Sequence, residues 1–160
     1  MTSITTIDFI DARILRALIE EPRATVIALA DKTSLSRNTV QARLAKLEKQ
    51  GSLHSFERRI DPGALGYPLT AFILTSVTQR KLSRIAAKLD RIPEIVEVDG
   101  LSGVTDLLVR VVARDADDLY RIAGRILDID GVEQTTTSLV MRKFVDYRFT
   151  PLLEQLVDGS

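Results

Sequence analysis

The apolar residues of this 160-residue chain keep a helical spacing as far as Gly51, then switch repeatedly between alternating and helical spacing. That change requires an all-helical unit followed by a mixed one. In the first part, Ile10, Ile14, Leu15, Leu18 and Ile19 recur at three- and four-residue intervals. The stripe stops at Glu21-Pro22, because proline disfavours helix in the residue before it. Thr25 is placed to cap a short second helix carrying Leu29 and Ala30. After a break at Thr33-Ser34-Leu35, Ser36 is placed to cap a third helix, with Val40, Leu44 and Leu47 inward and Gly51 ending it. Three short helices with a tight turn between the second and third form the helix-turn-helix layout.

The stretch from Leu53 to Ile60 is polar and strand-like. Turn chemistry follows twice, at Asp61-Pro62-Gly63 and Gly66-Tyr67-Pro68, and a domain boundary is expected there. Leu69 to Val77 reads as a strand. Leu82, Ile85, Ala86, Leu89 and Ile92 form a helical stripe ending before Pro93. Ile95 to Leu101 and Asp106 to Ala113 read as strands separated by Ser102-Gly103. Asp115 is placed to cap a helix with the stripe Leu119, Ile122, Ala123, Ile126 and Leu127, and Asp130-Gly131 turns into a long last strand, Val132 to Lys143. The order β-α-β-β-α-β is that of the ferredoxin-like split βαβ unit. The expected fold is α+β. A winged-type helix-turn-helix domain spans 1–52, a linker strand and hinge 53–67, and a ferredoxin-like βαββαβ domain 68–143. A tail over 144–160 follows, in which Leu152 to Val157 reads as a short helix. Two helices cover one face of such a sheet, so the other calls for a partner, and dimerisation through sheet faces is the simplest answer.

Composition narrows the function classes. The chain has no cysteine, which removes disulfides, thiolate metal sites and a cysteine nucleophile together. His54 is the only histidine, so a Ser-His-Asp triad would have to use it. No apolar run approaches the roughly 20 residues a membrane helix needs. Met1 to Ile10 carries Asp8 and no basic residue, unlike a signal peptide. The expected location is the cytoplasm, with no membrane partner. Asp99, Asp106, Asp115, Asp117 and Asp118 cluster in sequence, and paired carboxylates can hold a metal or do acid–base work. Three of them, however, fall in the first turn of an expected helix, where acidic residues favour the dipole. No P-loop, dinucleotide fingerprint, HExxH or GxSxG motif is present. The chain does not read as an enzyme, and no cofactor is expected. Net charge is zero, but residues 1–60 carry 10 Lys and Arg against 7 Asp and Glu, and residues 61–160 carry 12 against 15. A basic front and an acidic back point to two jobs.

The third helix is the candidate for reading a major groove. With Val40 inward at about 100° per residue, Asn38, Gln41, Ala42, Ala45, Lys46 and Lys49 face outward, with Thr39 at the edge and Arg37 and Arg43 on the flanks. Asn and Gln bond bidentately to adenine, Arg to guanine, and Lys neutralises phosphate. The candidate DNA-contacting set is Ser36, Arg37, Asn38, Thr39, Gln41, Ala42, Arg43, Lys46 and Lys49. The plain alternative is a solvated helix whose Lys and Gln carry no message, and Arg43 can equally pair with Asp11 or Glu48.

The segments Ile7-Asp8 with Asp11 and Ile14-Leu15, Leu29-Ala30, Leu35-Ser36 with Arg43 and Leu47-Glu48, and Asp61-Pro62 with Leu65-Gly66 occur in a telling order. So do Pro93-Glu94-Ile95-Val96, Gly103-x-x-Asp106, and Gly131-Val132 followed by Thr135-x-Thr137. Together they resemble the leucine-responsive/asparagine-synthesis regulator (Lrp/AsnC, feast/famine) family over about residues 7–143. The resemblance implies transcription regulators that bind double-stranded DNA, form dimers that often assemble into octamers, and bind an amino acid between dimers. It places the effector at the loop Gly103, Val104, Thr105 and Asp106, with Thr135 and Thr137 of a neighbouring subunit, and has Leu53 to Ile60 pair with its counterpart in the dimer. On its own terms, a glycine loop offers backbone N–H groups to a carboxylate, and Asp106 can accept from an ammonium. The same residues also suit an ordinary turn capped by an aspartate, and Thr135 and Thr137 suit a β-branched, half-buried surface. The chain departs from the family pattern at Leu107, where an aromatic is frequent, and at Ser138, where a larger side chain is common.

Overall fold

A computed structural model describes residues 6–159; Met1–Thr5, part of the leader-like stretch weighed above, and Ser160 lie outside the described residues. The elements run α1 (Phe9–Glu20), α2 (Val26–Thr33), α3 (Arg37–Lys49), β1 (Leu69–Val77), α4 (Leu82–Leu89), β2 (Ile95–Gly100), β3 (Leu107–Ala113), α5 (Ala116–Leu127), β4 (Val132–Leu139) and α6 (Thr150–Asp158). They fall into two compact units. One comprises the residues up to Arg58 together with those from Val145 onward, and the other runs Arg59–Phe144.

The first unit is helical. Asp8 and Asp11 form a reciprocal capping box, each carboxylate accepting from the other's backbone N–H, which satisfies two of the orphan donors at the start of α1. Thr25 caps α2 and Ser36 caps α3, as their positions foretold. Between them Ser34 takes a left-handed conformation (φ 53°), and the Leu35 N–H bonds back to the Ala30 carbonyl. This sharp turn lets Leu35 pack with Leu18, Val26 and Leu44 around the buried Ala17, Leu29, Ala30 and Val40. The tail also belongs here: α6 packs against α1 and buries Leu153.

The second unit is a four-stranded antiparallel sheet in the order β2-β3-β1-β4. Ala71, Ile73, Val77, Leu107, Val109 and Val111 pack on one face against Ile85 and Leu89 of α4 and Leu119, Ile122 and Ile126 of α5. All of these are apolar and buried. The opposite face carries Phe72, Leu74, Leu108 and Arg110, with the Arg110 guanidinium over the Phe72 ring. This is the antiparallel ferredoxin-like arrangement expected from the element order.

Two expectations change. Leu53 to Ile60 is not a strand in the single chain; a 3-10 helix spans Phe56–Arg59. A strand needs a hydrogen-bonded neighbour, and none of the chain's own strands pairs with this segment. The last strand ends at Leu139 rather than Lys143. Its ladder is written by β1, which begins at Leu69 just after Pro68, so after the Val140 N–H bonds to the Thr70 carbonyl there is no further partner. Among the described residues no helix is long and apolar enough to cross a membrane.

Candidate DNA-reading face and effector loop

Helix α3 owes its orientation to Val40 and Leu47, both fully buried, and to Leu44, which is half-buried. That leaves Ser36, Arg37, Asn38, Gln41, Ala42, Ala45, Lys46 and Lys49 exposed and Thr39 half-buried. The Ser36 hydroxyl accepts from the Thr39 N–H at 3.1 Å and lies 2.7 Å from the Thr39 hydroxyl, so Thr39 is tied to the cap. The face is continuous and polar, with two alanines that keep the backbone close to whatever lies against it.

Arg43 behaves differently and leaves the reading set. Its guanidinium donates to the Asp8 carboxylate and, at 3.1 Å, to Asp11 Oδ1. Asp11 is completely buried in α1, so the charge it carries demands a partner, and Arg43 on the facing helix supplies it. The Asp11 N–H and the Arg43 guanidinium hold the Asp8 carboxyl below the usual carboxylate range, while Asp8 and Asp11 raise Arg43 above its ordinary value. Arg13 adds a second tie, donating to the Thr33 carbonyl at the end of α2.

In the second unit, Gly103 sits at φ +140° in an open turn, a conformation that side-chain-bearing residues rarely adopt. Val104 is fully exposed and Thr105 half-buried. Asp106 anchors the loop. Its N–H donates to the Thr75 carbonyl (3.1 Å) and its carbonyl accepts from Leu101 (2.8 Å). Its carboxylate accepts from the Val77 N–H (2.7 Å) through Oδ2 and from Gln79 Nε2 (2.5 Å) through Oδ1. Thr135 lies directly across from Thr75 and Thr137 across from Ile73, so both project on the helix-covered side of the sheet at its β4 edge. Asp106 and Thr135 thus flank the same residue of β1 from opposite sides. A carboxylate offers about four lone-pair positions, so Asp106 can take a further donor while holding the end of β1.

Sequence reasoning missed Gln79, a lone amide after a strand with no local signal. It also missed the network on α5. There Arg114 and Arg121 grip the buried Asp118, Arg121 donates to Glu94 (2.5 Å), and Arg125 approaches Glu94 at 3.6 Å. Hydrogen bonds from Arg114 and Arg121 hold Asp118 far below the usual carboxylate range. The i,i+3 and i,i+4 spacing of these residues was the signal available. Among the described residues no group of three or more His, Cys, Asp or Glu is placed to hold a metal ion.

A helix-turn-helix reader followed by a ferredoxin-like sheet domain defines a DNA-binding transcription regulator, not an enzyme. The family model described as the Lrp/AsnC ligand-binding domain matches residues 70–149, and one described as a winged helix-turn-helix DNA-binding domain matches residues 8–51. The chain belongs to the Lrp/AsnC family of transcriptional regulators. The HTH-type transcriptional regulator FL11 of Pyrococcus horikoshii is 35% identical over 136 residues, covering 85% of this chain and 90% of that one. The regulator AldR of Mycolicibacterium smegmatis is 33% identical over 138 residues, covering 84% and 81%. Among solved structures, AsnC of E. coli superposes with a TM-score of 0.81 at 26% identity, covering 92% of this chain and 100% of that one. A Neisseria meningitidis transcriptional regulator in complex with L-Met gives 0.76 at 28% identity, covering 88% and 94%.

Proposed function

We propose that α3 is laid into the major groove, with Asn38 and Gln41 addressing base edges and Arg37, Lys46 and Lys49 addressing phosphates. Ser36, Thr39 and Ala42 set the helix's approach. The observation that carries this reading is the division on α3 itself. The exposed cations of one face have no partner among the described residues, while the flanking Arg43 is consumed inside the domain. Free cations over a phosphate backbone give affinity that falls steeply with salt, by about 0.9 log units per log salt for each phosphate neutralised. The test is fluorescence anisotropy on a duplex that the protein itself selects from a random library. Replacing Arg37, Lys46 and Lys49 by Gln lowers affinity for every duplex and flattens the salt slope, whereas Asn38→Ala changes which duplex is preferred. Unchanged binding by the triple variant would remove α3 from the reader role.

For the second unit we propose an amino-acid effector, its ammonium on Asp106 and its carboxylate on the N–H groups of the Gly103–Thr105 turn, with Thr135 and Thr137 supplied by a neighbouring subunit. The likeness to a regulator crystallised with L-Met supports the ligand class. The sheet face carrying Phe72, Leu74 and Leu108 supplies the dimer contact, higher assembly such as an octamer follows from the loop, and the hinge 53–67 joins the domains. The protein acts in the cytosol, at the nucleoid. A ligand that binds only the folded state raises the melting temperature, so a panel of L-amino acids read by thermal shift identifies the effector. Asp106→Asn keeps an acceptor for the Val77 N–H and abolishes the response. Asp106→Ala also lowers stability by about 1–3 kcal/mol, because that N–H is left unpaired. Asp106→Asn protein that answers the same amino acid with the same shift would place the effector elsewhere.

A further inference from the structure

Helix α1 is buried on two sides. Ala17 belongs to the cluster shared with α2 and α3. Ala12 lies about 140° around the helix from it, at about 100° per residue, and yet is 0% exposed. The element packed on α1 besides α2 and α3 is α6, which contributes Leu153, itself 6% exposed. Leu153, Leu156 and Val157 follow the i, i+3, i+4 pattern of a docking stripe, and Pro151 starts the helix where a missing N–H costs nothing. The fourth helix of the reader unit therefore comes from the far end of the chain. It is joined to β4 by the ten residues 140–149, which contain neither helix nor strand.

We propose that α6 is a working part of the DNA reader, and that residues 140–149 form a strap through which β4 and the recognition helix act on each other. The strap starts at a fixed point, the Val140 N–H bonded to the Thr70 carbonyl beside the end of β4. It ends at α6, which bears on α1. Asp8 and Asp11, at the start of α1, clasp Arg43 of α3. A shift of β4 is thereby delivered to the helix that faces DNA by a route separate from the hinge 53–67. That the physiological signal begins at Thr135 and Thr137 rests on the effector reading above; the strap itself does not.

Coupling between two sites is reciprocal, so DNA can serve as the probe and no effector is needed. Amide hydrogen exchange is followed on the full chain. Leu153→Asp accelerates exchange in α1 and α3 by about tenfold or more, weakens binding to the selected duplex, and leaves β1 and β3 at their wild-type rates. Unchanged exchange in α1 and α3 would overturn the place of α6 in the reader. In the wild type, adding the duplex slows exchange at Thr137–Leu139. An insertion of about eight Gly/Ser residues between Lys143 and Phe144, which makes the strap slack, removes that response while DNA affinity and the protection of α1 are retained. No DNA-dependent change in β4 of the wild type, or the same change with the lengthened strap, would overturn the strap. A chain that passes both arms yet answers no amino acid counts against the effector reading alone.

Discussion

The clasp between Arg43 and the start of α1 makes a sharp prediction, because Arg43 sits on the recognition helix and invites assignment as a DNA contact. In Arg43→Ala, the Asp11 carboxylate stays fully buried and keeps only the Asp8 N–H at 3.2 Å. Removing one member of a buried pair costs about 3–5 kcal/mol. Here the Arg43 side chain is 26% exposed and that of Asp8 49%, so water reaches the clasp and the expected cost is nearer about 2 kcal/mol. For a domain of this size each kcal/mol moves the melting temperature by about 4–8 °C, which gives a drop of about 8–16 °C in the reader's transition. Calorimetry measures it on the full chain. The double variant Arg43→Ala, Asp11→Ala no longer strands a charge and recovers part of the loss. Salt titration of DNA binding, run at a temperature where both proteins are folded, keeps its wild-type slope. Lys46→Ala shows the converse, an unchanged melt and a slope flatter by about 0.9. If Arg43→Ala melted within about 1 °C of wild type and lost that unit of slope, Arg43 would be a phosphate contact and the clasp incidental.

Other perturbations address the sheet unit. The folded-state value of Asp118 is depressed by Arg114 and Arg121, so its contribution to stability is complete above the unfolded carboxyl value of 3.8 and is lost as pH falls below that toward the depressed one. Acid titration followed by far-UV circular dichroism therefore shows a steep loss below about pH 4, and Asp118→Asn makes that limb shallower. Gly131 sits at φ +100°, and a Cβ there would lie 2.9 Å from Lys81 Cδ and 3.0 Å from Ile85 Cδ1. Gly131→Ala costs about 1–3 kcal/mol through backbone strain and crowding, seen as a lower melting temperature with the α3 face unaltered. An unchanged melt would mean that the turn before β4 relaxes freely.

The sequence by itself determined the elements and their order. Helical stripes, caps at Thr25, Ser36 and Asp115, and alternating runs between turn residues are all written within a few residues of one another, and local hydrogen bonds and periodicity act at that range. The outward face of α3 followed from the same periodicity once Val40 was set inward. Only the tertiary structure decided how distant groups divide their allegiance. Arg43 is claimed by Asp8, 35 residues away, and Asp106 by Val77 and Gln79, 29 and 27 residues away. The linker gives up its strand because a ladder needs a neighbour, and β4 stops where β1 runs out. The tail joins the reader because α1 has a second apolar side to cover. Burial of charge and pairing of backbone are properties of whatever arrives alongside, and that neighbour is set by the fold and not by the local run of residues.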